Sequence, residues 1–391
     1  MKLYYVFILL QVSCSFGYAQ HVMSGQQRAN SILEKTADKL NSLTTFTYDL
    51  RRELNYASEN YLRVSNWSCY FKYDPDITPV NFQYQVHDSI SGNFFNGTEK
   101  FDLNITTKTI EINKTPAKEE FKDLSFLYNS IITLRNMLPI LIADKQSNIS
   151  VKDTVVNGRS FDLVMLNIGK RRIQNLGEDF DIMKTKSNFI YKITIDKSSH
   201  LPIEVLQMND LNDDFIKTNF TNINTNPNPP KENTWYYPTY LNQYKTSEKK
   251  ELPGLIPVGS LTTDWTLPRY DKNENITLSN LRGKVILLDF WFKNCSPCIE
   301  SVPRLNAINK KYGDKNFAML GINTWDSQKD VVWFCDKHQV TYNVLLNGKD
   351  LAENYGIDAF PTVVLIDKDG KVLYSGGFDP SKIEGLIEKA L

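Results

Sequence analysis

The sequence predicts two folded units in series. The first is an α+β unit built on a curved antiparallel sheet with helices, and the second is a smaller α/β unit whose mixed sheet is covered by helices on both faces. Three observations carry this reading. After a helical opening, the apolar period switches from 3.6 to 2 and returns to 2 repeatedly up to residue 221. A stretch rich in Pro, Asn and Lys, without periodicity, follows at 222–255 and reads as a linker. From residue 256 to the end, strand patterns alternate with helical ones. The length of 391 residues suits two or three domains, and 41% hydrophobic with 23% charged residues is an ordinary globular composition.

Residues 1–19 place Lys2 before an apolar run and end on Gly17 and Ala19, at positions −3 and −1 of a cut before Gln20. Charge, hydrophobic length and cleavage chemistry together predict a secretory signal peptide. The run is broken by Gln11, Ser13 and Ser15, so it falls short of the about 20 apolar residues of a membrane anchor. An alternative makes Cys14 a lipidated first residue, as in bacterial lipoproteins, although Gln11 stands where that pattern has Leu. The most apolar later stretch, Leu127 to Ala143, contains Asn129, Arg135, Asn136 and Pro139, which predicts a partly buried helix and no integral span after signal cleavage.

The first unit, 20–221, opens with a helix marked by Ala29, Ile32, Leu33, Ala37, Leu40 and Leu43. A long strand follows in which Phe46, Tyr48, Leu50, Arg52, Leu54 and Tyr56 share one face. The alternation recurs at Trp67/Cys69/Phe71/Tyr73, Phe82/Tyr84/Val86, Phe101/Leu103/Ile105, Phe161/Leu163/Met165 and Phe189/Tyr191/Ile193/Ile195. Turn chemistry such as Asn96-Gly97 and Asn157-Gly158 separates the strands, and a second helical segment at 118–144 interrupts them. This order, with a final hairpin around LPIEVLQMND, resembles the half-barrel of the periplasmic lipoprotein carriers of the LolA/LolB type. That resemblance implies an alternative role for the chain as a lipid- or lipoprotein-binding protein with an accessory second unit. Within the linker, Trp235, Tyr236, Tyr237 and Tyr240 form an aromatic cluster able to dock on one unit.

The second unit, 256–391, contains an apolar run from Val285 to Trp291 broken only by Asp289, the signature of a central strand buried on both faces. A helix over 296–311, a parallel strand over 317–322, a helix over 327–338, a hairpin across Asp369-Gly370 and a final helix from Ser381 complete it.

Lys plus Arg and Asp plus Glu balance at 45 each, so no basic footprint for nucleic acid exists. His21, His87, His200 and His338 are scattered, which predicts no metal site, and no motif calls for a cofactor. An exported chain meets an oxidising compartment, yet after signal cleavage only Cys69, Cys295, Cys298 and Cys335 remain. Four cysteines over so long a chain do not make a structural framework; they direct attention to a redox pair.

Cys295-Ser296-Pro297-Cys298 lies where the buried strand gives way to a helix. Free N–H groups and the positive dipole end at a helix N-terminus favour thiolate, and two intervening residues put the sulfurs within bonding reach. Cys295 is then the exposed nucleophile and Cys298 the thiol that resolves a mixed disulfide. A lone carboxyl in an apolar strand, Asp289, should be held partly protonated near neutrality. Cys69 and Cys335 sit at apolar positions, as buried free thiols commonly do.

The segments LTTDWTLPRYDKNENITLSNLRGKVILLDFWFKNCSPC, AFPTVVLIDKDGKV and YSGGF resemble the TlpA/ResA branch of the thioredoxin superfamily of thiol–disulfide oxidoreductases, over about a third of the chain. The resemblance implies an α/β thioredoxin fold and an extracytoplasmic, periplasmic enzyme exchanging disulfides with client proteins and with an upstream electron donor or acceptor. It makes Cys295 and Cys298 the dithiol, Asp289 the proton acceptor of the resolving thiol, and Pro361 the cis-proline facing the substrate, with Phe360 and Trp291 beside it as substrate-binding residues. Three positions depart from the branch: Asn294 replaces an aromatic, Phe360 a small residue, and Ser301 a helix glutamate. The leading segment also resembles peroxiredoxins, which implies a thiol peroxidase as an alternative, but KNCSPC lacks the Thr and Arg of that class. The β-rich unit is expected to recruit or orient partners.

Overall fold

A computed structural model describes residues 25–183, 185–247 and 253–391. The signal-peptide segment 1–19 and Cys14 lie outside the described residues. The chain divides into Met1–Glu248 and Lys249–Leu391.

In the first unit α1 (Gly25–Asn41) leads into β1 (Thr45–Tyr56), β2 (Tyr61–Tyr73), β3 (Phe82–His87), β4 (Ser91–Phe95), β5 (Lys100–Asn104) and β6 (Thr109–Asn113). The short α2 (Glu119–Lys122) and α3 (Ile131–Ala143) interrupt, and strands resume as β7 (Asn148–Val156), β8 (Arg159–Asn167), β9 (Arg171–Ile173), β10 (Phe180–Ile182), β11 (Phe189–Asp196), β12 (Pro202–Asn209), β13 (Phe215–Asn224) and β14 (Lys245–Thr246). Twelve strands form one sheet in the order β14-β6-β5-β4-β3-β2-β1-β13-β12-β11-β8-β7. On its apolar face Phe46, Tyr48 and Phe71 stack with centroids 5.7–6.1 Å apart, and α1 and α3 bury Leu33, Leu40, Leu134, Leu138 and Leu141 in the same core. Rings and helices thus fill that face.

The single helix expected over 118–144 is broken into α2, a 3-10 turn at Ser125–Leu127 and α3. Two polar groups cause the break. Ser130 starts α3 afresh with a capping box to Thr133, and the buried Arg52 guanidinium donates to the Ser125 and Tyr128 carbonyls. A second buried arginine closes the end of α1: Arg135 donates to the carbonyls of Leu40 at 2.9 Å and Asn41 at 3.1 Å in its last turn and of Leu43 at 2.6 Å just beyond it, with Leu40 O also accepting the Leu43 N–H.

Most of the stretch read as a linker belongs to the first unit instead. Trp235 packs edge-on against Tyr70 at 5.8 Å, Tyr240 sits 5.4 Å from Phe94 and 5.6 Å from Phe101, and β14 extends the sheet beside β6 in parallel. The adjacent Phe94 and Phe95 explain why: one ring meets this aromatic strap and the other meets the main core, so both sheet faces need cover there.

The second unit contains the hairpin β15 (Thr266–Pro268) and β16 (Asn275–Thr277), then β17 (Val285–Trp291), α4 (Ser296–Tyr312), β18 (Phe317–Asn323), α5 (Gln328–His338), β19 (Asn343–Leu345), α6 (Lys349–Asn354), β20 (Thr362–Ile366), β21 (Val372–Gly377) and α7 (Pro380–Ala390). The sheet runs β19-β18-β17-β20-β21, with β17, β18 and β19 parallel and β20 and β21 antiparallel. Pro253 and Gly254 press against Gly356, and Ile256 N–H donates to Tyr355 O at 2.9 Å, so this unit begins slightly before residue 256.

Replacing Arg135 by Met keeps its apolar stem but removes the donor shared by the Leu40, Asn41 and Leu43 carbonyls. The expected loss is about 2–4 kcal/mol of stability in the first unit, read by native-state hydrogen exchange of α1 and β1 amides. A loss under about 0.5 kcal/mol would show that Arg135 is not what closes α1.

Candidate active site

All seven residues of β17 are buried, and strand alternation divides them between two cores. Ile286, Leu288 and Phe290 pack with Leu351 and Tyr355 on one face. Val285, Leu287 and Trp291 pack on the other with Val302 and Leu305 of α4, Phe334 of α5 and Ile383 of α7, in the cluster that also holds Cys295 and Cys298. Asp289, odd-numbered like these, therefore faces the dithiol side.

Beyond β17 a short turn brings Cys295 to the N-cap of α4. Its Sγ accepts the Cys298 N–H at 3.2 Å, and the two cysteines form a disulfide with Cα atoms 5.2 Å apart. The sulfur that receives a helix N-terminal N–H is the one that the helix dipole stabilises as thiolate once the bond opens. The turn itself is pinned: Lys293 N–H donates to Asp326 at 2.6 Å and its Nζ pairs with Asp330 at 2.7 Å. Contrary to the expectation of an exposed nucleophile, Cys295 is only 4% exposed in this oxidised state, close to the 3% of Cys298.

Antiparallel pairing of β20 with β17 sets Thr362 opposite Phe290, and the cis Phe360–Pro361 bond follows at that end of the strands, from which the chain also leads to Cys295. Phe360 meets Phe292 at 5.4 Å and Trp325 at 5.2 Å, both edge-on, while Phe292 and Trp325 stack at 5.3 Å. Trp325, 55% exposed, is the open part of this aromatic wall. Trp291, expected at the substrate edge, is instead 2% exposed and stacked on Phe334 at 4.2 Å, because alternation turns it inward with Asp289.

Burial pushes the Asp289 carboxyl up to about 7, against a smaller opposing effect of one hydrogen bond, donated by Tyr342 to Oδ2 at 3.3 Å. Oδ1 has no partner. Cys69 and Cys335 are buried free thiols; burial raises both, Cys335 to about 12, so neither is nucleophilic near neutrality.

A family profile described as Redoxin matches residues 257–384. The thioredoxin-like protein YneN of Bacillus subtilis is 31% identical over 137 residues, which cover 34% of this chain and 78% of YneN. The chain belongs to the thioredoxin-like thiol–disulfide oxidoreductases. The thiol–disulfide oxidoreductase ResA of Geobacillus thermodenitrificans is likewise 31% identical over 118 residues, covering 30% of this chain and 67% of ResA. The thioredoxin domain of a thiol–disulfide oxidoreductase from Bacteroides vulgatus aligns at 26% identity over 35% of this chain and 99% of its own, with a TM-score of 0.33. Of the residues expected at the site of a thioredoxin-like oxidoreductase, the structure pairs Cys295 with Cys298, puts Asp289 on the dithiol side of β17 and makes the Phe360–Pro361 bond cis. The sequence reading misses Trp325, in the loop after β18, and Tyr342, in the segment before β19; the tryptophan just past a strand end in GINTWD was the one available signal.

Asp289 also predicts a pH dependence. Its folded value near 7 lies above the ordinary carboxyl range, so the folded state holds a proton that the unfolded state has released. That stability is fully present below about pH 4 and is lost as pH rises through about 7. Urea denaturation of the second unit should show this decline, and Asp289→Asn should flatten it and be the more stable form at pH 8, an approximate alkaline limit. An identical slope in both proteins would remove Asp289 as its source.

Proposed function

We propose that this chain is an exported, periplasmic thiol–disulfide oxidoreductase that exchanges disulfides with client proteins through Cys295 and Cys298. The observation that carries the reading is the pairing of these two sulfurs at the α4 N-terminus, on the β17 face that carries Asp289. In the reductive direction the Cys295 thiolate attacks a client disulfide, forming a mixed disulfide and expelling one client sulfur. Cys298 then gives its proton to the Asp289 carboxylate and attacks Cys295 Sγ, and the second client sulfur leaves as a thiolate that takes a proton from water. Two electrons pass from the dithiol to the client, and an upstream thiol donor restores the dithiol; the same steps reversed oxidise a client.

The signal-peptide pattern at 1–19 supports export. Pro361 and Phe360 border the client path, and the Phe292/Trp325/Phe360 wall favours an apolar residue next to the client cysteine. The second thiol so close to Cys295 favours disulfide exchange over peroxide reduction. The first unit recruits or orients clients, raising their effective concentration near Cys295.

Cys298→Ala should accumulate client adducts on Cys295, whereas Cys295→Ala should accumulate none; adducts in equal amount would overturn the order of attack. Trp325→Ala should slow exchange with a protein client about 3–10-fold, the value of an aromatic contact, while leaving exchange with a small disulfide unchanged. Equal slowing with both substrates would show that Trp325 supports the fold rather than the client.

A further inference from the structure

Asp289 is paired in register with Gly321 of β18, and that glycine is a notch. A Cβ there would lie 3.0 Å from Tyr342 Cε2 and 3.0 Å from Trp291 Nε1. The missing side chain lets the Tyr342 ring, which enters from the segment between α5 and β19, lie across β18 and reach the β17 carboxyl. Tyr342 is 6% exposed, and a hydroxyl so buried needs a partner. The partner is Asp289 Oδ2, at 3.3 Å.

We propose that Tyr342 is a positioning residue for the proton transfer: its hydroxyl holds Asp289 and favours the carboxylate, setting the pH at which Asp289 can take the Cys298 proton. This rests on the reading of Asp289 as proton acceptor. Burial holds the tyrosine hydroxyl far above its ordinary range, so it stays a donor at every working pH. The surroundings leave it without a rival. Beside Asp289, β18 contributes Gly321 and β20 contributes Val363, and the core on that side of β17 holds Cys298 of α4. Cys335 on α5 acts on Tyr342 rather than on the carboxyl, and burial keeps it neutral. Burial and the tyrosine hydrogen bond are therefore the two influences on Asp289, acting in opposite directions.

The step affected is release. Cys298 passes its proton to the carboxylate, the Cys295–client bond breaks as the Cys295–Cys298 bond forms, and the proton on Asp289 later returns to solvent. Its rate should rise with pH through the Asp289 midpoint. Stripping the hydroxyl leaves the carboxylate without a donor and moves that midpoint upward.

The test is stopped-flow release of glutathione from the mixed disulfide on Cys295 of the full-length protein, across about pH 5–10, a window around the ordinary carboxyl and thiol ranges. Tyr342→Phe should move the rise up by about one pH unit, slowing release about fivefold at neutral pH with the alkaline plateau unchanged. Asp289→Asn should remove the rise near neutrality, leaving only that of the Cys298 thiol's own ionisation at higher pH, and adding Tyr342→Phe to it should change nothing further. An unmoved midpoint in Tyr342→Phe overturns the proposal while the Asp289 reading stands; a near-neutral rise that persists in Asp289→Asn overturns both. Should Tyr342→Phe fail to fold, Gly321→Ala, which crowds the ring away from the carboxyl, is expected to shift the midpoint the same way, and an unmoved midpoint there counts against the proposal equally.

Discussion

The burial of β17 on both faces is the constraint on which the active site depends. Because every residue of VILLDFW is enclosed, its alternation must serve two cores at once, and the one acidic residue among them is buried with the rest. That enclosure makes Asp289 a carboxyl that titrates near neutrality instead of a permanently charged one. The same strand delivers the chain to its end at the turn that Lys293 anchors through Asp326 and Asp330, so the sulfur at the α4 N-terminus and the acid on the cluster side are set by one element. Helix dipole below the first sulfur and low dielectric around the acid then act on two different groups of the site, one favouring charge on Cys295 and the other restraining it on Asp289.

Much of this was legible because it is local. A dithiol two residues apart, the strand before it and the helix after it are contiguous in sequence, and the apolar run around Asp289 announces its burial. Tyr342, Gly321 and Trp325 were not legible as site residues, since their roles arise from the register of β18 with β17 and from a chain segment more than fifty positions away in the Tyr342 case. Trp291 shows the converse: proximity to the cysteines suggested a client contact, but its parity along the strand decides its direction, and it is a core residue.

In the first unit the period-two pattern correctly signalled a large antiparallel sheet, while its interruptions misled. Residues 118–144 are apolar enough to read as one helix, yet two carbonyls drawn to buried Arg52 and a new cap at Ser130 divide it. Composition likewise suggested an inter-domain linker at 222–255, where its aromatic residues make most of it part of the first unit by covering the outer face of β4 and β5. Proline and asparagine report the absence of regular secondary structure; they do not report the absence of packing.

The contrast among the thiols sharpens the functional claim. Burial holds Cys69 and Cys335 protonated, whereas Cys295 occupies a helix N-cap and already has Cys298 as its bonding partner. The most direct measurement is a redox titration of the full chain against glutathione, with the state of each cysteine read by alkylation and peptide mass. The account predicts a single two-electron transition in which Cys295 and Cys298 are lost and regained together while Cys69 and Cys335 stay thiols throughout. A transition that involves Cys69 or Cys335, or a Cys295–Cys298 pair that never cycles, would contradict it.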